Sequence, residues 1–131
     1  MKINEITEQV IGAAIRVHRF LGPGLLESAY EACLCSEIRN SGLRVEQQKP
    51  IPLIFRDVKM DCGYRLDILV EDQVIVEVKS VEHILPVHKS QVLSHLRLLN
   101  RNVGLLINFN VAALKDGITR LVNKYEGPML S

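Results

Sequence analysis

The stretch from Gly63 to Ser80, GYRLDILVEDQVIVEVKS, constrains the fold of this chain more than any other. Val74-Ile75-Val76-Glu77-Val78-Lys79 is a β-branched run with a carboxylate and an ammonium set into it. Burying a Glu in such a run is costly unless it is paired or bound to a cation. Side chains alternate along a strand, so Glu77 and Lys79 share a face, with Cα atoms roughly 6.6 Å apart. A second strand, ending at Val70, precedes this one, and Glu71, Asp72 and Gln73 separate the two. A three-residue loop pairs Val70 with Val74, which sets Asp67 opposite Glu77 and Arg65 opposite Lys79. A two-residue loop shifts the register by one and puts the two acids on opposite faces.

In the first register the two carboxylates lie roughly 4.5–5.5 Å apart at Cβ. Like charges that close repel unless a proton or a divalent cation sits between them. Mg²⁺ is typically held by one or two carboxylates plus waters and substrate phosphates. Lys79 is then placed to orient or deprotonate a metal-bound water. This arrangement points to phosphodiester hydrolysis. The rival is a solvated sheet face on which Arg65, Asp67, Glu77 and Lys79 form weak cross-strand salt bridges. Leu69 and Ile75 share that face with the charges, and the opposite face is apolar, so the sheet reads as covered on both sides.

A chain of 131 residues, 47% apolar, suffices for one core. The expected organisation is a single domain over 1–126 with a tail over 127–131. The net charge of +1 does not support a strongly basic free-standing nucleic-acid binder. Cys33, Cys35 and Cys62 have no Cys-x-x-Cys spacing, which argues against a disulfide framework or zinc ribbon. They read as buried or half-buried thiols in a reducing cytoplasm. No secretory signal and no run near the ~20 apolar residues of a membrane span is present in the sequence. The expected location is cytoplasmic, with no membrane partner.

Helical spacing of Ile6, Val10, Ala13, Val17 and Leu21, after an Asn4 N-cap, predicts a first helix that ends at Gly22-Pro23-Gly24. A second begins at about Leu25, with Gly42 as its C′ residue. Extended segments follow at 43–49 and 51–55, with Pro50 and Pro52 marking an edge. A turn is expected at 56–59, then strands at 60–70 and 74–79. A third helix spans His88 to Leu99 and a short buried strand Val103 to Asn108. Leu114 to Tyr125 fits either a helix or a strand. The order predicts an α/β domain with helices covering a mixed sheet.

Other candidates are weaker. Glu27, early in the second helix, equally suits the helix dipole. Gln91 and His95 lie i,i+4 on the third helix and face one way. His83 and His88 flank Pro86 and read as solvent histidines, because no His, Cys and carboxylate set has zinc-ligand spacing.

Gly24-Leu25-Leu26-Glu27-Ser28-Ala29-Tyr30 matches Gly-x-x-Glu-x-x-Tyr. Gly63-Tyr64-Arg65-Leu66-Asp67, Glu77-Val78-Lys79, Leu85-Pro86-Val87-His88, Gln91 with Leu96, and Leu105-Leu106-Ile107-Asn108-Phe109 follow in order. Together they resemble the GxxExxY protein family, which is similar to the PD-(D/E)XK nuclease superfamily. The resemblance covers about Ile6 to Asn123. It implies a restriction-endonuclease-like mixed β-sheet flanked by α-helices, and a Mg²⁺- or Mn²⁺-dependent nuclease acting on DNA or RNA. By it Asp67, Glu77, the Val78 carbonyl and Glu27 hold metal, and Lys79 positions water. Gln91, His95, Arg65 and Tyr30 become substrate contacts. His95 stands where Tyr is usual, and Leu66 where Pro usually precedes the Asp. The alternative is a catalytically silent nuclease-fold module that binds nucleic acid or a partner protein; a homo-oligomer is a separate expectation.

Overall fold

The computed structural model describes residues 1–124. The expected tail 127–131, and the Tyr125 end of the ambiguous segment, lie outside the described residues. Helix α1 (Ile3–Leu21) buries Ile6, Val10, Ala13, Ala14 and Val17 along one stripe and stops at Gly22, whose φ is +68°. It starts after Lys2 rather than after Asn4. The Asn4 Oδ1 accepts instead from Arg120 Nη2 at 2.9 Å. Helix α2 (Glu27–Asn40) buries Tyr30, Leu34, Cys35 and Ile38. Gly42 follows it at φ +88°, the left-handed position expected of a C′ residue.

The main sheet contains β1 (Val45–Pro50), β4 (Arg65–Val70), β5 (Val74–Lys79), β6 (Val103–Asn108) and β7 (Ile118–Val122), in the order β1-β4-β5-β6-β7. Strands β5 and β6 are parallel, joined through helix α3 (Pro86–Leu99), and the other neighbours are antiparallel. Pro50 ends the edge strand β1, where a missing N–H costs no ladder bond. The ambiguous segment resolves into a 3₁₀ turn at Leu114–Gly117 followed by β7.

One expected strand is broken in two. Residues 60–70 do not form a continuous strand. Strand β3 (Val58–Met60) pairs back on β2 (Leu53–Phe55) as a separate two-stranded ribbon. Arg56 and Asp57 both take positive φ, +50° and +67°, which closes a tight hairpin turn between them. Residues 61–64 then lead into β4, with Gly63 at φ +69°.

Alternation along the strands splits the core between the two faces of the sheet. Ile68, Val70, Val76, Val78, Leu105 and Ile107 pack with Val10, Val17, Tyr30, Leu34 and Ile38 under α1 and α2. Leu69, Ile75 and Leu106 pack with Val92 and Leu96 under α3. Helix α3 packs tightly on the sheet at Gly104, where a Cβ would meet Val92 Cγ1 at 2.7 Å.

Candidate active site

Strands β4 and β5 pair through Val70↔Val74, Leu69↔Ile75 and Ile68↔Val76. This is the register of the three-residue loop. The loop is held in place: Glu71 and Asp72 both have positive φ, +52° and +54°. Arg101 grips Asp72 through its carbonyl at 2.7 Å and its carboxylate at 2.9 Å. The Glu71 carboxylate accepts from the Arg44 N–H at 2.7 Å. The last ladder pair is Ile68↔Val76. One step further, Asp67 Oδ2 accepts directly from the Val78 N–H at 2.9 Å.

Asp67 and Glu77 therefore share the α3 face of the sheet. They line a cleft of about 700 Å³ with Tyr64, Arg65, Lys79, Gln91 and His95. Burial, then the Glu77 charge, pushes the Asp67 carboxyl up from 3.8 to about 6. A hydrogen-bonding contact with Glu77 pushes the same way, while the Val78 N–H and Lys79 pull it down. Glu77 is 6% exposed, and its Oε1 lies 2.9 Å from His95 Nδ1. With a carboxylate as acceptor, Nδ1 carries the proton, and Nε2 is left as the other ring nitrogen.

Arg65, Lys79 and Arg97 also line the cleft. Among the described residues none of the three has a carboxylate within ion-pair distance. The expected rival arrangement, a cross-strand salt-bridge network of Arg65, Asp67, Glu77 and Lys79, is therefore not formed. Cations without acidic partners beside two crowded acids suit an anionic ligand approached by a cation.

The family model of the PD-(D/E)XK nuclease superfamily matches residues 4–121. The chain belongs to that superfamily. Its sheet and flanking helices are an α/β restriction-endonuclease-like fold. Comparisons with curated proteins and with solved structures found no match. Asp67, Glu77 and Lys79, the residues that the resemblance assigns to the motif, lie on β4 and β5 of this fold and line the cleft. Nucleases of this superfamily generally use divalent metal ions.

Two residues expected at this PD-(D/E)XK site lie elsewhere. Tyr30 is fully buried, stacked on Phe109 at 4.6 Å between ring centroids. Its hydroxyl donates to the Gly22 carbonyl and accepts from the Leu25 N–H at 3.1 Å. It cannot touch substrate; it clamps the α1–α2 turn. Ser80 Oγ, at the end of β5, donates to the Leu25 carbonyl at 2.7 Å, so the same turn is tied to the strand that carries Lys79. Glu27 is exposed, does not line the cleft, and is the first residue of α2. That helix packs on the sheet face opposite α3, which keeps Glu27 from joining Asp67 and Glu77. Its place there is that of an acid at the positive end of a helix. Among the described residues no three His, Cys, Asp or Glu side chains are grouped so as to hold a metal.

The remaining pair still fits a divalent cation. Each carboxylate spends one oxygen on a protein donor, Val78 N–H for Asp67 and His95 for Glu77. The Asp67 carboxyl is raised first by burial and then by the Glu77 charge, and a cation would offset the second of these. Two carboxylates plus waters and phosphate are an ordinary Mg²⁺ set.

His95 lines the cleft with Gln91, as their i,i+4 spacing on α3 implies. It lies deeper, with a side chain only 12% exposed, directly on Glu77. Tyr64 meets its ring edge-on at 6.3 Å. The sequence reading missed Tyr64, Ser90, Ser94 and Arg97 as cleft residues. The signal for one was present: Ser94 falls with Gln91, His95 and Leu98 at i, i+3, i+4 and i+7 on α3. His88 is not a free histidine: its Nδ1 accepts from the Leu85 N–H at 3.0 Å and caps α3. Of the three thiols Cys35 is buried, with burial raising its pKa to about 11, whereas Cys33 and Cys62 are exposed, contrary to expectation. Among the described residues no helix is long and apolar enough to cross a membrane.

Proposed function

We propose that this chain is a divalent-metal-dependent nuclease that hydrolyses DNA or RNA phosphodiester bonds. The observation that carries the reading is the cleft itself. Two adjacent carboxylates line it, and Arg65, Lys79 and Arg97 line it without acidic partners among the described residues. Asp67, Glu77 and the Val78 carbonyl would hold Mg²⁺ or Mn²⁺. A cation bound there supplies Lewis-acid stabilisation of charge on the phosphoryl oxygens. Lys79 orients the attacking water and offsets the charge that develops. Arg65 and Arg97 anchor flanking phosphates. Gln91 contacts substrate or holds Lys79 in place. His95 fixes the Glu77 carboxylate through Nδ1–H.

The second reading is a catalytically silent module that keeps the cleft for binding nucleic acid or a partner. It draws support from the absence of Glu27 from the site and from the engagement of Glu77 by His95. Cleavage of single- and double-stranded DNA and RNA in Mg²⁺ or Mn²⁺, wild type against Lys79→Ala, separates the two. The nuclease reading expects cleavage by wild type and its loss in Lys79→Ala. Nucleic-acid affinity without cleavage in any divalent metal would establish the silent module.

A further inference from the structure

Strands β2 and β3 form a ribbon that belongs to neither core. Leu53, Phe55, Val58 and Met60 lie on one of its faces, because Leu53 pairs with Met60 and Phe55 with Val58. Leu53 lines the cleft. The apolar face therefore continues outward from the cleft wall. It is open: Phe55 is 58% and Val58 54% exposed. Tyr64, half exposed, adds a second aromatic ring on the same cleft wall. The Arg56 guanidinium sits over the Phe55 ring, 5.3 Å from its centroid.

We propose that this ribbon is the base-binding platform of the site, and that the substrate is single-stranded or locally unpaired nucleic acid. The inference rests on the nuclease reading and adds a substrate class to it. Unpaired bases have exposed π-faces that stack on aromatic side chains and on guanidinium planes, whatever the sequence. A closed duplex turns its bases inward and would present charged phosphates to this apolar surface. The charge arrangement agrees. Phosphate-binding cations line the cleft, at Arg65, Lys79 and Arg97. On the ribbon, Arg56 and Lys59 are balanced by Asp57 and by Asp61 just beyond it, so the ribbon acts by stacking rather than by charge.

The test is fluorescence anisotropy with labelled single-stranded DNA, single-stranded RNA and a duplex of equal length, with Ca²⁺ as the divalent ion. Wild type, Phe55→Ala and Phe55→Trp are compared after circular dichroism confirms equal folding. The expected result is tighter binding of single strand than duplex. Phe55→Ala should weaken single-strand binding by roughly 5- to 150-fold, leave duplex binding unchanged, and be rescued by Phe55→Trp. Duplex binding equal to or tighter than single-strand binding, or affinity unchanged in Phe55→Ala, overturns the platform and leaves the nuclease reading standing. Binding of none of the three probes by wild type overturns both. Sedimentation on the same proteins covers the remaining occupant. A dimer that Phe55→Ala dissociates, with single-strand binding unaffected, would assign the face to a second copy and overturn the proposal.

Discussion

Replacing Asp67 with Asn should make the metal-free protein more stable, with a gain that builds above about pH 4 and is complete above about pH 6. In the fold the Asp67 carboxyl is raised from 3.8 to about 6, first by burial and then by the Glu77 charge. Between those values the native state holds a proton that the unfolded chain has released. Stability contributed by this group is therefore full below about pH 4 and is lost as pH rises through 6. The difference corresponds to at most about 3 kcal/mol at pH 8. Partial solvent screening lowers this toward about 1–2 kcal/mol. Asn keeps an oxygen to accept the Val78 N–H and carries no charge at any pH. Urea titrations of wild type and Asp67→Asn at pH 4 and pH 8 measure the effect as a shift in midpoint at constant slope. The variant should gain about 1–2 kcal/mol at pH 8 and nothing at pH 4. Adding Mg²⁺ or Mn²⁺ at pH 8 should stabilise wild type, by about 2.7 kcal/mol at a hundredfold excess over Kd, and leave the variant unchanged. A variant less stable than wild type at pH 8, or equally stabilised at both pH values, would refute the argument that burial and the Glu77 charge raise the Asp67 carboxyl.

Four further outcomes follow from the packing. Lys79→Ala should keep the metal-dependent rise in melting temperature while losing cleavage, since it removes no ligand; loss of the thermal shift in a calorimetric scan would place Lys79 in the metal site itself. His95→Phe should leave the buried Glu77 without its donor and cost about 1–3 kcal/mol in a denaturant titration at pH 8. Gly104→Ala should cost about 1–3 kcal/mol, because the new methyl meets Val92 Cγ1 at 2.7 Å and pushes α3 away from the sheet; an unchanged melting temperature would show that α3 can shift freely. Tyr30→Phe should cost about 1–3 kcal/mol and speed amide exchange in the Gly22–Leu25 turn, with substrate affinity untouched, as expected for a clamp rather than a contact.

Local pattern alone determined the part of the site that lies on the hairpin. Strand alternation has a period of two, so a three-residue loop after Val70 suffices to put Asp67, Leu69, Ile75, Glu77 and Lys79 on one face. The same kind of short-range periodicity placed Gln91 and His95 together on α3 and marked the stripe of α1. What tertiary structure decided is which layer each helix covers. Helix α2 buries Tyr30 and holds Glu27 off the site because its apolar stripe finds Ile68, Val76 and Val78 on the far face, a choice set by burial across the whole sheet. Adjacent motif residues cannot report that choice. His95 could be read as facing the cleft, but its contact with Glu77 depends on how closely α3 approaches over Gly104. The break at 61–64 was hidden for a similar reason. Met60 and Tyr64–Val70 share one strand-like composition, and only the competing hairpin through Arg56 and Asp57 divides them into a sheet strand and an exposed ribbon.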